Sequence, residues 1–274
     1  MQLEYFEKEL KGRTDIQFDS YNPDYLINRI SERMLAVGAE LQEDYLETIR
    51  ADSDEADALL RSIGINVSEF FRDSFMFETL ENQTLPELLW KKTRDSVKEL
   101  RIWSAGCASG EEPYSLAILL DRLLRGQMEE WHINIFATDI SSEHISAAKT
   151  GIYDVERLTE VKLGILDEYF NPAGTDRYRV IDRIRNMIHF SREDLTAKKR
   201  YVPAESIYGS FDLISCRNVL IYFNRQAQER ILLKISRALC SGGYLVLGGS
   251  EWLRSDSAEL FTRLDKHNRI FIKN

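Results

Sequence analysis

The chain has 274 residues, 43% of them hydrophobic and 30% charged, with 45 acidic against 36 basic side chains and a net charge of −9. That length fits about two domains of roughly 150 residues each, and the acidity lacks the basic footprint of a general nucleic-acid binder. No apolar run approaches the ~18–20 residues of a membrane span. The start, MQLEYFEKELKGR, has neither the apolar core nor the cleavage site of a secretory leader, so a cytoplasmic protein is expected.

Residues 1–72 read as an all-helical domain. In DYLINRISERMLAV, Leu26, Ile27, Ile30, Met34 and Val37 recur on one face at helical spacing. Arg29 and Arg33, four apart, share another face. LQEDYLETIR and DEADALLRSIGI continue the pattern, with Gly64 placed to stop a helix. TLPELLWKKTRDSVKE extends helix through a linker over 73–99.

From residue 100 to 274 strands and helices alternate. LRIWSAG, HINIFATDIS, FDLISCRNVLIYF, YLVLGG and RIFIK read as strands; PYSLAILLDRLLR, EHISAAKTG and RQAQERILLKISRALCSGG read as helices. The alternation predicts an α/β domain, a mainly parallel sheet with helices on both faces. Ligands of such sheets bind beyond the carboxyl ends of the strands. One segment breaks the pattern. DEYFNPAGTDRYRVIDRIRNMIHFSRED sets Asn-Pro and Gly turn signals between strand-like YRVI and MIHF, and predicts a small antiparallel β insertion at about 165–192.

The glycine turn after the first strand, GCASGEEPYS, lacks both the G-x-G-x-x-G dinucleotide fingerprint and the G-K-[ST] ending of a phosphate loop. A nicotinamide oxidoreductase is disfavoured on that ground. Glu111 and Glu112 would repel a triphosphate. At a helix start they also suit the macrodipole, and Pro113 suits a first turn. A nucleoside without phosphates and with a positive charge reconciles Gly106, which permits close backbone approach, with the two acids. Asp139, at the end of NIFATDIS, is placed either to accept the hydroxyls of a ribose or to cap the next helix, which Ser141 could do as well. S-adenosylmethionine has the required ribose, adenine, amino acid tail and sulfonium. The three scattered cysteines, Cys107, Cys216 and Cys240, make no disulfide framework, and the four separated histidines give no ligand spacing with them. No metal is expected. Cys107 and Cys216 read as packing residues, not nucleophiles.

Taken together, INVSEFFRD, IWSAGCASGEEPYSLAILL, IFATDIS, GIYDVERL, FDLISCRNVLIYF and GGYLVLGGSE closely resemble the chemotaxis receptor methyltransferases of the CheR family, in order and over nearly the whole chain. The resemblance implies a Rossmann-like class I methyltransferase sheet, an N-terminal helical domain and a β subdomain. It implies methyl transfer from S-adenosylmethionine to glutamates of chemoreceptors, leaving S-adenosylhomocysteine. Carried over residue by residue, it implies cofactor contacts from Asn66, Ser68 and Arg72, where Ser68 stands in place of the family's usual threonine. It also implies contacts from Gly106, Glu111, Asp139, Asp194, Leu195, Arg217 and Asn218. The pair Asp194–Leu195 replaces an Asn-Leu pair that flanks the adenine in some members.

Arg72 and Tyr222 are expected near the reacting atoms. A glutamate acceptor with a pKa near ~4.3 is already ionised at neutral pH, so positioning is expected and a general base is not. The partner implied is the chemoreceptor cytoplasmic domain, docked through Arg29, Arg33 and the basic run Arg177–Arg200, including Arg179, Arg183, Arg185, Arg192, Lys198 and Lys199. Some family members tether to a receptor tail peptide added as a strand to the insertion. The short NPAGTDR link here predicts no such dependence. A monomer is expected. The rival readings are a cofactor-binding sensor or scaffold without turnover, and a small-molecule methyltransferase.

Overall fold

The computed structural model describes residues 1–14, 16–64, 68–197, 201–206, 208–253, 255–264 and 268–274, without the side chains of Ser255 and Asp256. The first 64 residues carry α1 (Leu3–Leu10), α2 (Pro23–Val37), α3 (Gln42–Ala51) and α4 (Ser53–Ile63). Local chemistry sets their ends. The Asn22 side chain accepts from the Asp24 N–H at 3.0 Å, with Pro23 at the first helical position, and α2 ends on left-handed Gly38. Asp52 caps α4 in the same way. Phe6, Leu10, Leu26, Ile30, Tyr45, Ile49 and Leu59 bury between the helices.

Of the face expected on α2, Leu26 and Ile30 are buried, Ile27 and Met34 are half-buried, and Val37 is 40% exposed. Val37 lies in the last turn, beyond the reach of α3 and α4, so periodicity alone overstated the stripe. Arg33 does not sit on a free face either. It holds buried Glu55 with both its Nε, 3.0 Å from Oε1, and Nη2, and Tyr45 donates to the same carboxylate at 2.7 Å.

Next come α5 (Ser74–Thr79), a π-helical turn over Leu80–Thr84 and α6 (Leu85–Arg94). Pro86 has no N–H to give the carbonyl four residues back, and the helix widens just before it. The remainder is β1 (Glu99–Ala105), α7 (Glu111–Leu123), β2 (His132–Asp139), α8 (Ser142–Thr150), β3 (Ile152–Asp154), α9 (Leu163–Tyr169), β4 (Phe170–Pro172), β5 (Arg177–Val180), α10 (Asp182–Arg185), β6 (Ile188–Arg192), β7 (Phe211–Cys216), α11 (Arg225–Ala238), β8 (Leu239–Leu247), α12 (Ser255–Ala258), β9 (Phe261–Arg263) and β10 (Ile270–Lys273).

The main sheet has the order β6-β2-β1-β7-β8-β10-β9, parallel from β6 to β8 and antiparallel at β10 and β9. Alternate residues of β1 show the two layers. Leu100 and Ile102 pack with α7, while Trp103 and Ala105 join the core shared with α11 and the N-terminal helices.

Three readings of the sequence change. MIHF is not part of the insertion: β6 pairs in parallel with β2 as the edge of the main sheet, and the small antiparallel sheet is β3-β5-β4. Short alternation marks a strand but does not choose its neighbour. FDLISCRNVLIYF is extended only to Cys216, because Asn218 takes the left-handed φ of +58° and Leu220–Tyr222 forms a 3-10 turn. The helix expected to run into CSGG ends at Ala238, and those residues begin β8.

The N-terminal helices dock on the turn after β7. Asn22 N–H donates to the Tyr222 carbonyl at 2.9 Å and Asn224 N–H to the Ser20 carbonyl at 3.0 Å. Tyr21 packs on Phe223 and Tyr25 on Tyr222, with ring centroids 4.9 and 4.8 Å apart.

The Glu55 cluster makes a pH test. Burial alone would push its carboxyl up, but the bonds from Arg33 and Tyr45 outweigh it and hold it below the usual range. A lowered folded pKa contributes stability above the unfolded value near ~4.3 and loses it as pH falls through the folded value. Glu55→Gln is therefore expected to cost about 1–3 kcal/mol at pH 7. Thermal melts at pH 7 and pH 3.5 check this, and the gap from wild type should narrow at the lower pH.

Candidate active site

The turn between β1 and α7 is stitched to the end of β2. Gly106 N–H and Cys107 N–H both donate to the Thr138 carbonyl, at 2.8 and 2.9 Å. Gly106 has φ +80°, and a Cβ there would stand 2.4 Å from Val219 Cγ2. Only glycine satisfies both conditions. Asp139 is 3% exposed; its Oδ2 accepts from Ala108 N–H and its Oδ1 from Ser141 N–H, each at 2.9 Å. The cap of α8 is Ser141, whose hydroxyl accepts from His144 N–H, so the capping alternative for Asp139 falls.

Glu111 opens α7 fully buried. Its Oε1 stands 2.5 Å from Nη1 of Arg157, in the turn after β3, and its buried Oε2 has no hydrogen-bond partner. Burial pushes this carboxyl up, opposed by the Arg157 guanidinium and the nearby Ser68 hydroxyl. Glu112 is no mere macrodipole acid. Its Oε1 accepts from the Ser104 hydroxyl at 2.7 Å and its Oε2 stands 3.3 Å from Nη1 of Arg217. Arg217, also buried, donates through Nη2 to the Arg72 carbonyl at 2.7 Å, and its buried Nε has no partner.

The turn that carries Arg217 is held by Glu251. This 3%-exposed carboxylate accepts from the N–H groups of Asn218, Val219, Leu220 and Gly248 at 2.9, 2.8, 2.7 and 2.6 Å.

A cleft opens between the helical part and the strand ends. Gly106, Asp139, Asp194, Leu195 and Tyr222 line it, facing Tyr21 and Ile63. Ser68, Arg72, Glu111, Arg217 and Asn218 are not on its walls; Glu111 is wholly buried and the others continue the site along α7 and the β7 turn. Asp194 has part of its capacity committed, since its Oδ1 accepts from the Thr196 N–H and hydroxyl at 2.8 and 2.7 Å. Asn66 lies outside the described residues. Burial pushes the Cys107 and Cys216 thiols well up, which keeps them neutral.

Arg157 and Glu251 were missed from the sequence, and Glu112, read there as one of two acids for a cationic nucleoside, is committed to Ser104 and Arg217 instead. Glu251 stood in a quoted motif, GGSE, but no local spacing reveals four backbone donors converging from two loops. Among the described residues no group of three or more candidate ligands gathers to hold a metal, and no helix is long and apolar enough to cross a membrane.

A switch-point cleft with a glycine turn that lacks a phosphate-binding lysine, beside buried acids, is a site for a ligand without phosphates. The sequence profile described as "CheR methyltransferase, SAM binding domain" matches residues 66–270, and that described as "CheR methyltransferase, all-alpha domain" matches residues 1–63. The chain belongs to the CheR methyltransferase family. It is 35% identical to a chemotaxis protein methyltransferase of Borreliella burgdorferi over 72% of this chain and 68% of that one. It is 33% identical to one of Listeria monocytogenes over 90% and 88%, and 34% identical to chemotaxis protein methyltransferase 1 of Pseudomonas aeruginosa over 85% and 84%. The residues present fit the cofactor: a buried carboxylate oxygen without a partner suits a cationic group, and Gly106 and Asp139 line the cleft.

Two variants test the site. Gly106→Ala adds strain of roughly 1–2 kcal/mol to the Val219 clash, so calorimetric titration should show S-adenosylhomocysteine affinity reduced at least about tenfold. Glu251→Gln sets an amide N–H₂ against backbone donors. Leaving buried donors unsatisfied costs about 1–3 kcal/mol each, and chemical denaturation should show a loss of about 2–4 kcal/mol.

Proposed function

We propose that the protein transfers the methyl group of S-adenosylmethionine to glutamate γ-carboxylates in the cytoplasmic helices of chemoreceptors, giving methyl esters for chemotactic adaptation. The observation that carries this reading is Arg217, buried beside the cofactor cleft with an unused Nε–H. A guanidinium there suits a carboxylate acceptor. Glu112 and the Arg72 carbonyl already occupy its other donors, which keeps its grip on the acceptor from becoming too tight. The chemotaxis protein methyltransferases it resembles support chemotaxis as the setting.

In this reading Gly106 admits the nucleoside, Asp139 accepts from its ribose, and Asp194 and Leu195 flank the adenine. The unpartnered Glu111 oxygen faces the ammonium of the amino acid tail, with Ser68, Arg72 and Asn218 completing the cofactor contacts and Asn66 assigned by resemblance alone. When bound, the cofactor supplies an electrophilic methyl on a cationic sulfonium. The chain has only to hold the ionised acceptor in line with it: a carboxylate oxygen forms the new C–O bond as the S–CH₃ bond breaks and its electrons pass to sulfur. Alignment is the main lever, and Tyr222, packed on Tyr25 at the cleft, helps exclude water.

The charges available for docking are fewer than the sequence implied. Arg29 pairs with Glu32, Arg33 with Glu55, Arg183 with Asp121 and Arg185 with Asp182; Arg192 donates to the Ile140 carbonyl at 3.0 Å. Arg177 and Arg179, exposed on β5, are the better candidates in that run; Lys198, Lys199 and Arg200 lie outside the described residues. We assign the protein to the cytoplasm as a monomer, consistent with a cytoplasmic substrate.

Methyl-labelled cofactor incubated with a chemoreceptor cytoplasmic fragment is expected to yield label released by mild base as methanol. Excess receptor tail peptide should leave the rate unchanged. Base-resistant label would overturn the carboxylate acceptor, and competition by the peptide would overturn independence from a tether.

A further inference from the structure

We propose that Trp252, with Arg269, forms a docking point for an acidic stretch of the protein substrate next to the glutamate that is methylated. The inference rests on the reading above that the acceptor is a carboxylate on a protein.

Trp252 directly follows Glu251, whose carboxylate holds the turn bearing Arg217 and Asn218. It is 54% exposed, a large apolar ring left in water. The Arg269 guanidinium lies flat against it, 3.2 Å from the ring centroid, with that of Arg263 at 5.5 Å. Cation–π contact fixes the ring and both cations in place.

Charge balance is what singles out this patch. Acids outnumber bases by nine in the chain (45 against 36), and many arginines elsewhere have an acid partner, as Arg33, Arg125, Arg157 and Arg183 do. Arg269 makes no ion pair among the described residues, and its buried Nε has no hydrogen-bond partner. Burial and the neighbouring Arg263 both weaken its hold on its proton. A cation without an acid partner, in a chain with acids to spare, is relieved by an anion from outside. Tryptophan and arginine are also the side chains that most often dominate protein interfaces.

Position names the anion. Gly106, Asp139 and Asp194 line the cleft at and beyond the ends of β1, β2 and β6. The patch lies past β7 in the opposite direction, at the end of β8 and the start of β10, where Leu247 N–H donates to the Arg269 carbonyl at 2.9 Å. That is the side left for the acceptor. A segment presenting glutamates for methylation brings further carboxylates, and these meet Arg269 while its apolar flank meets the indole.

The test is steady-state methylation of a receptor cytoplasmic fragment by the whole protein, read as base-released methanol, with S-adenosylhomocysteine affinity and thermal midpoint measured in parallel. Trp252→Ala and Arg269→Gln are each expected to raise KM for the fragment about tenfold, with kcat and product affinity within twofold. Wild-type KM should rise with salt more steeply than that of Arg269→Gln. Trp252→Phe, which keeps a ring for Arg269 to stack on, should recover most of the loss. KM unchanged in both Trp252→Ala and Arg269→Gln, with intact thermal midpoints, would overturn the docking point while leaving the carboxylate reaction standing. If wild-type label resists base, the reaction reading fails, and the acidic docking point with it.

Discussion

Val219 pressed into the space above Gly106 is the contact on which the site depends. It brings the turn after β7 against the turn after β1, and it allows no side chain at residue 106. Each partner is held from elsewhere. Gly106 and Cys107 hang from the Thr138 carbonyl at the end of β2, and Val219 N–H is fixed by the Glu251 carboxylate beyond β8. Four parallel strands thus present their ends at fixed heights through backbone bonds. A cofactor cleft made this way is rigid because moving one wall breaks hydrogen bonds in another.

The second organising constraint is electrostatic. Glu111, Glu112, Asp139, Arg217 and Glu251 are all buried or nearly so at one edge of the sheet. Buried charge is tolerated only when it is paired or hydrogen-bonded. Glu251 meets this with four backbone donors, Asp139 with two, and Glu112 and Arg217 with each other. Glu111 meets it only halfway, through Arg157. Among these five residues its Oε2 is the carboxylate oxygen left without a partner, which in the reading proposed above the cofactor's positive charge completes.

The helical part closes the cleft and does not merely decorate it. Its Tyr21 and Ile63 form a wall, and Tyr222 is held between the two parts, its carbonyl taken by Asn22 and its ring against Tyr25. Tyr222 is therefore positioned by residues some two hundred positions earlier in the chain. Arg157, which belongs to the turn after β3, ties the small sheet to the same site.

Much of this was legible in the chain itself. Alternating apolar strands and amphipathic helices determine an α/β sheet, and glycine with successive acids after β1, without a phosphate-loop lysine, determines a cationic nucleoside as ligand. Those signals are local, because strand period, helix period and turn chemistry act over a few residues. The tertiary structure alone decided that MIHF joins the main sheet, that Val37 stays in water, that Glu112 serves Arg217, and that Arg33 and Arg183 are committed to internal acids. It alone revealed Glu251. These are pairings between residues far apart in sequence, and which partner a strand edge, a carboxylate or a guanidinium finds depends on packing geometry that no local pattern encodes.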